Sequence, residues 1–262
     1  MIANLLEGFA RKGRTFFSML HSSVVVWQDG IDPRCMDHSE RLRYLELQAA
    51  LNYKDSIVVY DIGANRGDFA SFLAKLPNVP IVYCFEPLPD VYQQLTQNTM
   101  NLNNIKCFQV ALGDRSGIER MYANDFSPSS SILPMCPVHM KEFPDTKRSH
   151  EIQIRMMTLE ETVREFRLLS PDFIKIDVQG FEDRVITGGR EIIKKARFCM
   201  LELSLVSLYE KSILITDINL MMRNLGFGLV SIVGRIKGKS DEILQLDGLY
   251  RNNLVVQRSR RG

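Results

Sequence analysis

From Lys54 onward, short apolar runs rich in β-branched residues alternate with stretches of helical spacing. Ile57–Asp61, Ile81–Glu86, Ile105–Leu112, Glu151–Met157, Phe173–Asp177 and Phe198–Leu203 read as strands. Asp68–Leu76, Val91–Leu102, Thr158–Leu169, Arg184–Lys195 and Asp217–Leu225 read as helices, the fourth weakened at Gly188-Gly189 and the last stopped by Gly226. Leu229–Val233 and Leu249–Val256 close the series as two strands, with Arg235–Asp247 as their polar connection. Strands alternating with helices predict an α/β fold, a parallel sheet whose crossover helices cover both faces.

The rhythm changes in two places. Residues 1–53 are expected to form a helical extension to the main domain, 54–262. In it, Ile2, Leu5, Leu6, Phe9, Phe16, Phe17 and Leu20 recur at helical spacing, with Arg11, Lys12 and Arg14 between them, and a second helix runs from Glu40 to Leu51. His21, Ser22 and Ser23 interrupt the apolar core that a signal peptide needs. A helix packed on the main domain or on a second copy in a homodimer fits better, and contact with a membrane surface is at most peripheral. The second break, Asn124–Arg148, holds four prolines, three consecutive serines and His139. A loop of that length is either a lid or binding loop or a disordered insert.

Composition narrows the classes. The 262 residues carry 33 basic and 31 acidic side chains, a net charge of +2, so no global field selects nucleic acid. Five cysteines without a C-x-x-C pair argue against a disulfide framework and a structural zinc site. Cys84, Cys107 and Cys199 lie in apolar runs and are expected as small buried hydrophobes in a reducing, cytoplasmic setting. No run of 18 apolar residues occurs, so no transmembrane helix is expected.

The candidate chemistry sits at the predicted strand ends. Val58-Val59-Tyr60-Asp61-Ile62-Gly63-Ala64-Asn65-Arg66-Gly67-Asp68 takes a strand through a carboxylate and two glycines into a helix. In an open α/β sheet, ligands bind beyond the carboxyl ends of the strands. Gly63 and Gly67 are spaced G-x-x-x-G, not as in a dinucleotide site. Asp61 and Asp68 at this turn disfavour a phosphate, whereas a cationic nucleoside such as S-adenosylmethionine suits it. Glu86 ends the second strand, 19 residues after Gly67, where a carboxylate can accept both ribose hydroxyls. Ala111-Leu112-Gly113-Asp114 supplies a third strand end, with Asp114 either bonding an adenine amino group or capping the turn. Lys175 stands inside an apolar strand that ends at Asp177, the best candidate for the chemistry, with Glu182 and Glu202 behind it. His139 and His150 are further bases to weigh, although a lone loop histidine is more often solvated. No tight cluster of oxygen ligands suggests a metal.

Taken together, DIGANRG (61–67), FEP (85–87), ALGD (111–114), the serines before Ile132-Leu133, TLEE (158–161) and IKIDVQGFE (174–182) resemble the FkbM family of methyltransferases. The resemblance spans roughly residues 55–257 and takes in Gly188-Gly189, Leu201-Glu202-Leu203 and Leu246-Asp247-Gly248. It implies a Rossmann-like class I methyltransferase sheet of seven strands and S-adenosylmethionine as cofactor. It also implies transfer to a hydroxyl of a sugar, glycan or secondary metabolite. Asp61, Gly63, Asn65 and Gly67 would then line the methionine end of the cofactor. Glu86 and Pro87 would meet the ribose, Ala111 and Asp114 the adenine, and Asp177 the transferred methyl. Position 179, often Glu in the family, is Gln here, which cannot serve as a base. Two other classes stay open: a nucleic-acid methyltransferase, disfavoured by the lack of a basic stripe, and a non-catalytic cofactor-binding protein.

Overall fold

The computed structural model describes residues 56–254 apart from Pro77. The expected N-terminal helices and the proposed domain boundary lie outside them. Ten strands form two sheets among the described residues. The main sheet comprises β1 (Val58–Ile62), β2 (Ile81–Phe85), β3 (Ile105–Phe108), β7 (Phe173–Ile176), β8 (Phe198–Ser204), β9 (Phe227–Lys237) and β10 (Ile243–Asn252). Its order is β3-β2-β1-β7-β8-β10-β9, with β10 antiparallel to both neighbours. This is the seven-stranded class I methyltransferase sheet expected from the sequence. Helices α1 (Asp68–Ala74), α2 (Pro89–Thr99), α4 (Leu159–Glu165), α5 (Glu182–Gly188), α6 (Arg190–Ile193) and α7 (Ile215–Asn224) accompany it.

Cover on both faces explains the sequence texture. β8 is buried at every position, so it reads as a continuous apolar run rather than an alternation. Tyr60, Ile62, Phe85, Ile174, Ile176, Leu201 and Leu203 belong to one core cluster. Chain order reverses at β1, which pairs β2 on one side and β7 on the other, and a crevice at their carboxyl ends follows from that topology.

The predicted strand Ile105–Leu112 is broken. Val110 N–H bonds back to Phe108 O at 3.1 Å, and the chain leaves the main sheet. Ala111–Gly113 is a separate strand, β4, parallel to β6 (Ser149–Thr158) in a second sheet of order β4-β6-β5. The third member, β5 (Gly117–Asn124), lies outside every strand expected from the sequence, because its buried positions come only in its second half. Leu88, Val91, Met121, Ile154, Met156 and Phe181 pack between this small sheet and the main domain.

Other boundaries shift for identifiable reasons. The helix expected over Arg184–Lys195 begins at Glu182 and divides at Gly188-Gly189. A Cβ on Gly188 would stand 1.9 Å from Gly113 O, so the glycine lets α5 touch β4 directly. Arg235–Asp247 is no open connection, since β9 runs to Lys237 and β10 starts at Ile243. The Pro-rich segment holds α3 (Pro137–Glu142) and two short 3-10 turns, with Ser127, Ser129, Ser130, Ser131 and His139 all buried. No helix of the described residues is long and apolar enough to cross a membrane.

Candidate active site

β1 carries Asp61 to the crevice and buries it completely, at 0% exposure. Register places it between Cys84 of β2 and Lys175 of β7. Its Oδ1 lies 3.3 Å from Lys175 Nζ. Burial pushes the Asp61 carboxyl above its ordinary pKa, the Lys175 ammonium offsets part of that rise, and Asp177 adds to it. The chain then turns through Gly63 (φ 78°), Asn65 (φ 48°) and Gly67 (φ 88°), all in the left-handed region. A Cβ on Gly63 would fall 1.9 Å from Asp177 O, so only glycine lets the two strand-end turns meet. Asn65 tolerates its conformation because its own Oδ1 accepts from Arg66 N–H at 2.9 Å.

Glu86, just beyond β2, is buried and clamps the same turn. Its Oε2 accepts Asn65 N–H at 3.0 Å and its Oε1 accepts Leu88 N–H at 2.9 Å. Burial lifts its pKa to about 7, against the lowering effect of those two bonds and of Lys175. Pro87 follows directly in the chain and starts the run into α2.

The end of β7 is the most heavily bonded part of the site. Lys175 Nζ reaches Asp177 Oδ2 at 3.2 Å and Gly63 O at 3.4 Å, in addition to Asp61. Burial would depress the Lys175 ammonium, but Asp177 and Asp61 more than offset that and raise its pKa. Gln179 holds a left-handed backbone (φ 56°) before Gly180 (φ 91°). Its Nε2 donates to Asp177 Oδ1 at 2.8 Å and to Glu202 Oε2 at 3.0 Å. Its Oε1 accepts from Tyr209 Oη at 2.9 Å. The residue that cannot act as a base is therefore the bracket between two carboxylates. Its strained backbone fits a functional turn.

Glu202 is buried on β8, opposite Asp247 of β10. Burial, then Asp177, Glu182 and Asp247, hold its carboxyl well above the usual range. Glu182 points back into the turn, where its Oε1 accepts from Val178 N–H at 3.0 Å and Gly180 N–H at 3.3 Å. Burial lifts it to about 7. Its bonds make it a staple for the loop rather than a group facing a substrate.

The serine segment pins onto this array. Ser127 Oγ donates to Asn65 Oδ1 at 3.1 Å, Ser131 Oγ to Gln179 O at 2.6 Å, and Tyr209 Oη bonds Ser129 O at 3.2 Å. His139 is not solvated. It is 3% exposed, its ring packs edge-on against Phe143 and Tyr209, and burial lowers its pKa. His150 is exposed on β6 opposite Ala123. Ala111 lies in the second sheet, and Asp114 just after it pairs with Arg115 at 3.2 Å and Arg184 at 3.6 Å.

Sequence reasoning missed Tyr209 and the bridging role of Gln179, whose partners come from distant segments. The lysine inside an apolar strand was the one visible signal. Among the described residues, no group of three His, Cys, Asp or Glu side chains is placed to hold a metal.

The charge balance tests the fit of a donor. Asp61, Asp177 and Asp247 all act on the ammonium of Lys175. A ligand bringing positive charge and hydroxyl donors would offset that excess, as S-adenosylmethionine does with its sulfonium, ammonium and ribose.

Comparison with known proteins agrees. The methyltransferase FkbM domain profile matches residues 61–229. The chain is 32% identical over 168 residues to 2-O-methyltransferase NoeI of Sinorhizobium fredii, covering 60% of this chain and 67% of that one. It is 24% identical over 147 residues to hexuronic acid methyltransferase AglP of Haloferax volcanii, covering 56% and 55%. The alignments thus span between about half and two thirds of these relatives. With its fold, its acidic crevice and the profile match in agreement, the chain belongs to the FkbM family of S-adenosylmethionine-dependent methyltransferases.

Proposed function

We propose that this enzyme methylates a hydroxyl oxygen of a sugar, a glycan or a related small molecule. The observation that carries the reading is the Lys175–Asp177–Gln179–Glu202 array at the ends of β7 and β8, acidic and fixed from both sides. The printed activities of the two relatives, a 2-O-methyltransferase and a hexuronic acid methyltransferase, support it. Asp61, Gly63, Asn65 and Gly67 hold the methionine end of the donor. Glu86 and Pro87 take the ribose, and Ala111 and Asp114 the adenine. Bound there, the donor supplies an electrophilic methyl on sulfur.

Asp177 accepts the hydrogen bond of the incoming hydroxyl and takes up its proton. Its side chain is 31% exposed, so a substrate can reach it. Lys175 and Gln179 fix its two oxygens, which aligns the acceptor in advance, and such alignment can supply about 7–11 kcal/mol of barrier lowering. The surrounding carboxylates also favour the positive charge that builds on the attacking oxygen as the methyl–sulfur bond breaks. The test is incubation with methyl-labelled S-adenosylmethionine and a panel of monosaccharides, uronic acids and oligosaccharides beside structured RNA. Label should enter the sugar fraction and resist mild base, as an ether does. Label confined to RNA, or none in any sugar from a donor-binding enzyme, would overturn the reading.

Donor affinity carries its own prediction. Glu86 titrates at about 7 and faces the charges of Asp61 and Lys175. Below that pH it holds a proton, and above it both oxygens accept from ribose hydroxyls. Calorimetry should therefore find S-adenosylhomocysteine binding tightening up to about tenfold from pH 6 to pH 8. Glu86→Gln should remove the slope. A slope that survives that substitution would assign the titration to another group.

A further inference from the structure

Behind the donor turn lies a pair of thiols that methyl transfer does not use. Asp61, Cys84 and Cys107 occupy adjacent register positions on β1, β2 and β3, so their side chains leave the same face of the sheet. Cys84 is fully buried. Cys107, expected to be buried, is only half so, because β3 is the edge strand. It opens into a cleft of about 330 Å³ that Tyr92, Thr96, Thr99 and Met100 also line.

The pair touches the donor turn from two directions. Cys107 Sγ lies 3.7 Å from Thr99 Oγ1. The Thr99 methyl fills the space behind Gly67, where a Cβ would meet it at 2.9 Å. Cys84 in turn feels the charge of its register neighbour Asp61. Thr99 thus links Cys107 to Gly67, and register sets Cys84 beside Asp61, so the pair neighbours both ends of the turn.

We propose that Cys107 and Cys84 form a peroxide-sensitive dithiol whose oxidation to a cross-strand disulfide weakens donor binding. The second half rests on the donor site assigned above. The Cys84 thiol beside it, and Thr99, hold the Cys107 thiol down to about 7 against the effect of burial. The same contact and burial keep Cys84 protonated. One sulfur is thus half-exposed and partly thiolate near neutral pH, and the other is a buried thiol placed to resolve it. The Cys107 thiolate attacks one peroxide oxygen, the O–O bond breaks, and a sulfenic acid forms as hydroxide leaves and is protonated to water. Cys84 sulfur then displaces the oxygen from Cys107; the S–S bond forms, and Cys84's proton leaves with that oxygen as a second water. Two thiols lose two electrons and the peroxide gains them. Adjacent strands lie about 4.8 Å apart, within the Cα separation that a disulfide spans.

The experiment treats the reduced full chain with hydrogen peroxide, blocks remaining thiols, and reads tryptic peptides by mass. Trypsin cuts after Lys106, so Cys84 and Cys107 fall on separate peptides. The two should appear linked. Binding of S-adenosylhomocysteine should weaken roughly tenfold, within the usual range of coupling between sites, and recover with dithiothreitol. Cys84→Ala, treated at a pH near 9 so that Cys107 ionises without its neighbour's help, should stop at a sulfenic acid on Cys107 that dimedone traps. Cys107→Ser should keep its affinity through the same treatment. Cys107 remaining free at a peroxide dose that oxidises Cys136 would overturn the proposal, as would linked peptides with unchanged affinity. Failure of the reduced protein to bind S-adenosylhomocysteine would sink the donor site instead, since peptide linkage is read without it.

Discussion

Lys175→Met should cost the fold about 3–5 kcal/mol at neutral pH, the penalty for removing one partner of a buried ion pair. Two features of the site set that size. Asp61 is fully buried with Lys175 3.3 Å away, and Asp177 leans on the same ammonium at 3.2 Å. Met matches the aliphatic stem, so lost packing contributes little, and the loss reads the stranded carboxylates. The pH dependence has a definite sign. Asp61 already has a raised pKa in the fold, and loss of Lys175 raises it further. Between the unfolded value and that folded one, the native state holds a proton that the unfolded chain has released. Stability of the variant should therefore recover as pH falls toward about 4 and worsen as it rises. Urea titrations at pH 5 and pH 8 check this, and Asp61→Asn added to Lys175→Met should restore part of the loss at pH 8. A single variant as stable as the parent at pH 8 would show that the pair does not hold the strand ends together.

Asp177→Asn is expected to lower kcat by about 10²–10⁴-fold, the usual worth of a positioned proton acceptor. Asn keeps the shape but loses the charge that Lys175 pairs with and the capacity to take a proton. The affinity for S-adenosylhomocysteine should stay within a few-fold, because the substitution leaves the proposed donor contacts of Asp61 and Glu86 in place. The split between kcat and donor affinity separates the two roles. A variant that turns over at the parent's rate removes Asp177 from the chemistry. One that loses donor binding with turnover intact at saturation moves it into the donor site. Glu202→Gln serves as the comparison: its carboxyl is buried behind Gln179, so its effect should be smaller and should fall on the alignment of Asp177.

The features legible beforehand share one property, that they are written in consecutive residues. A strand buried on both faces reads as an apolar run, and a turn needing left-handed backbone reads as Gly63 and Gly67. The strand-end acids Asp61, Glu86 and Asp177 are visible because they end apolar runs. Where local signals conflicted, the reading failed. Ile105–Leu112 looked like one strand because nothing in its apolar pattern reveals that the chain changes sheets after Phe108. Arg235–Asp247 looked like a connection because long edge hairpins carry polar residues on strands.

By itself, then, the sequence determined the α/β order, the position of the glycine turn after β1 and the identity of the acids at three strand ends, since periodicity and strand-end chemistry are local. Only the tertiary structure decided what those acids do. Lys175 meets Asp61 through strand pairing, Gln179 joins Asp177 to Glu202 through a left-handed turn, and Cys107 meets Cys84 through register. Such partnerships are distances between segments far apart in the chain, and they exist only once the hydrophobic core has brought those segments together.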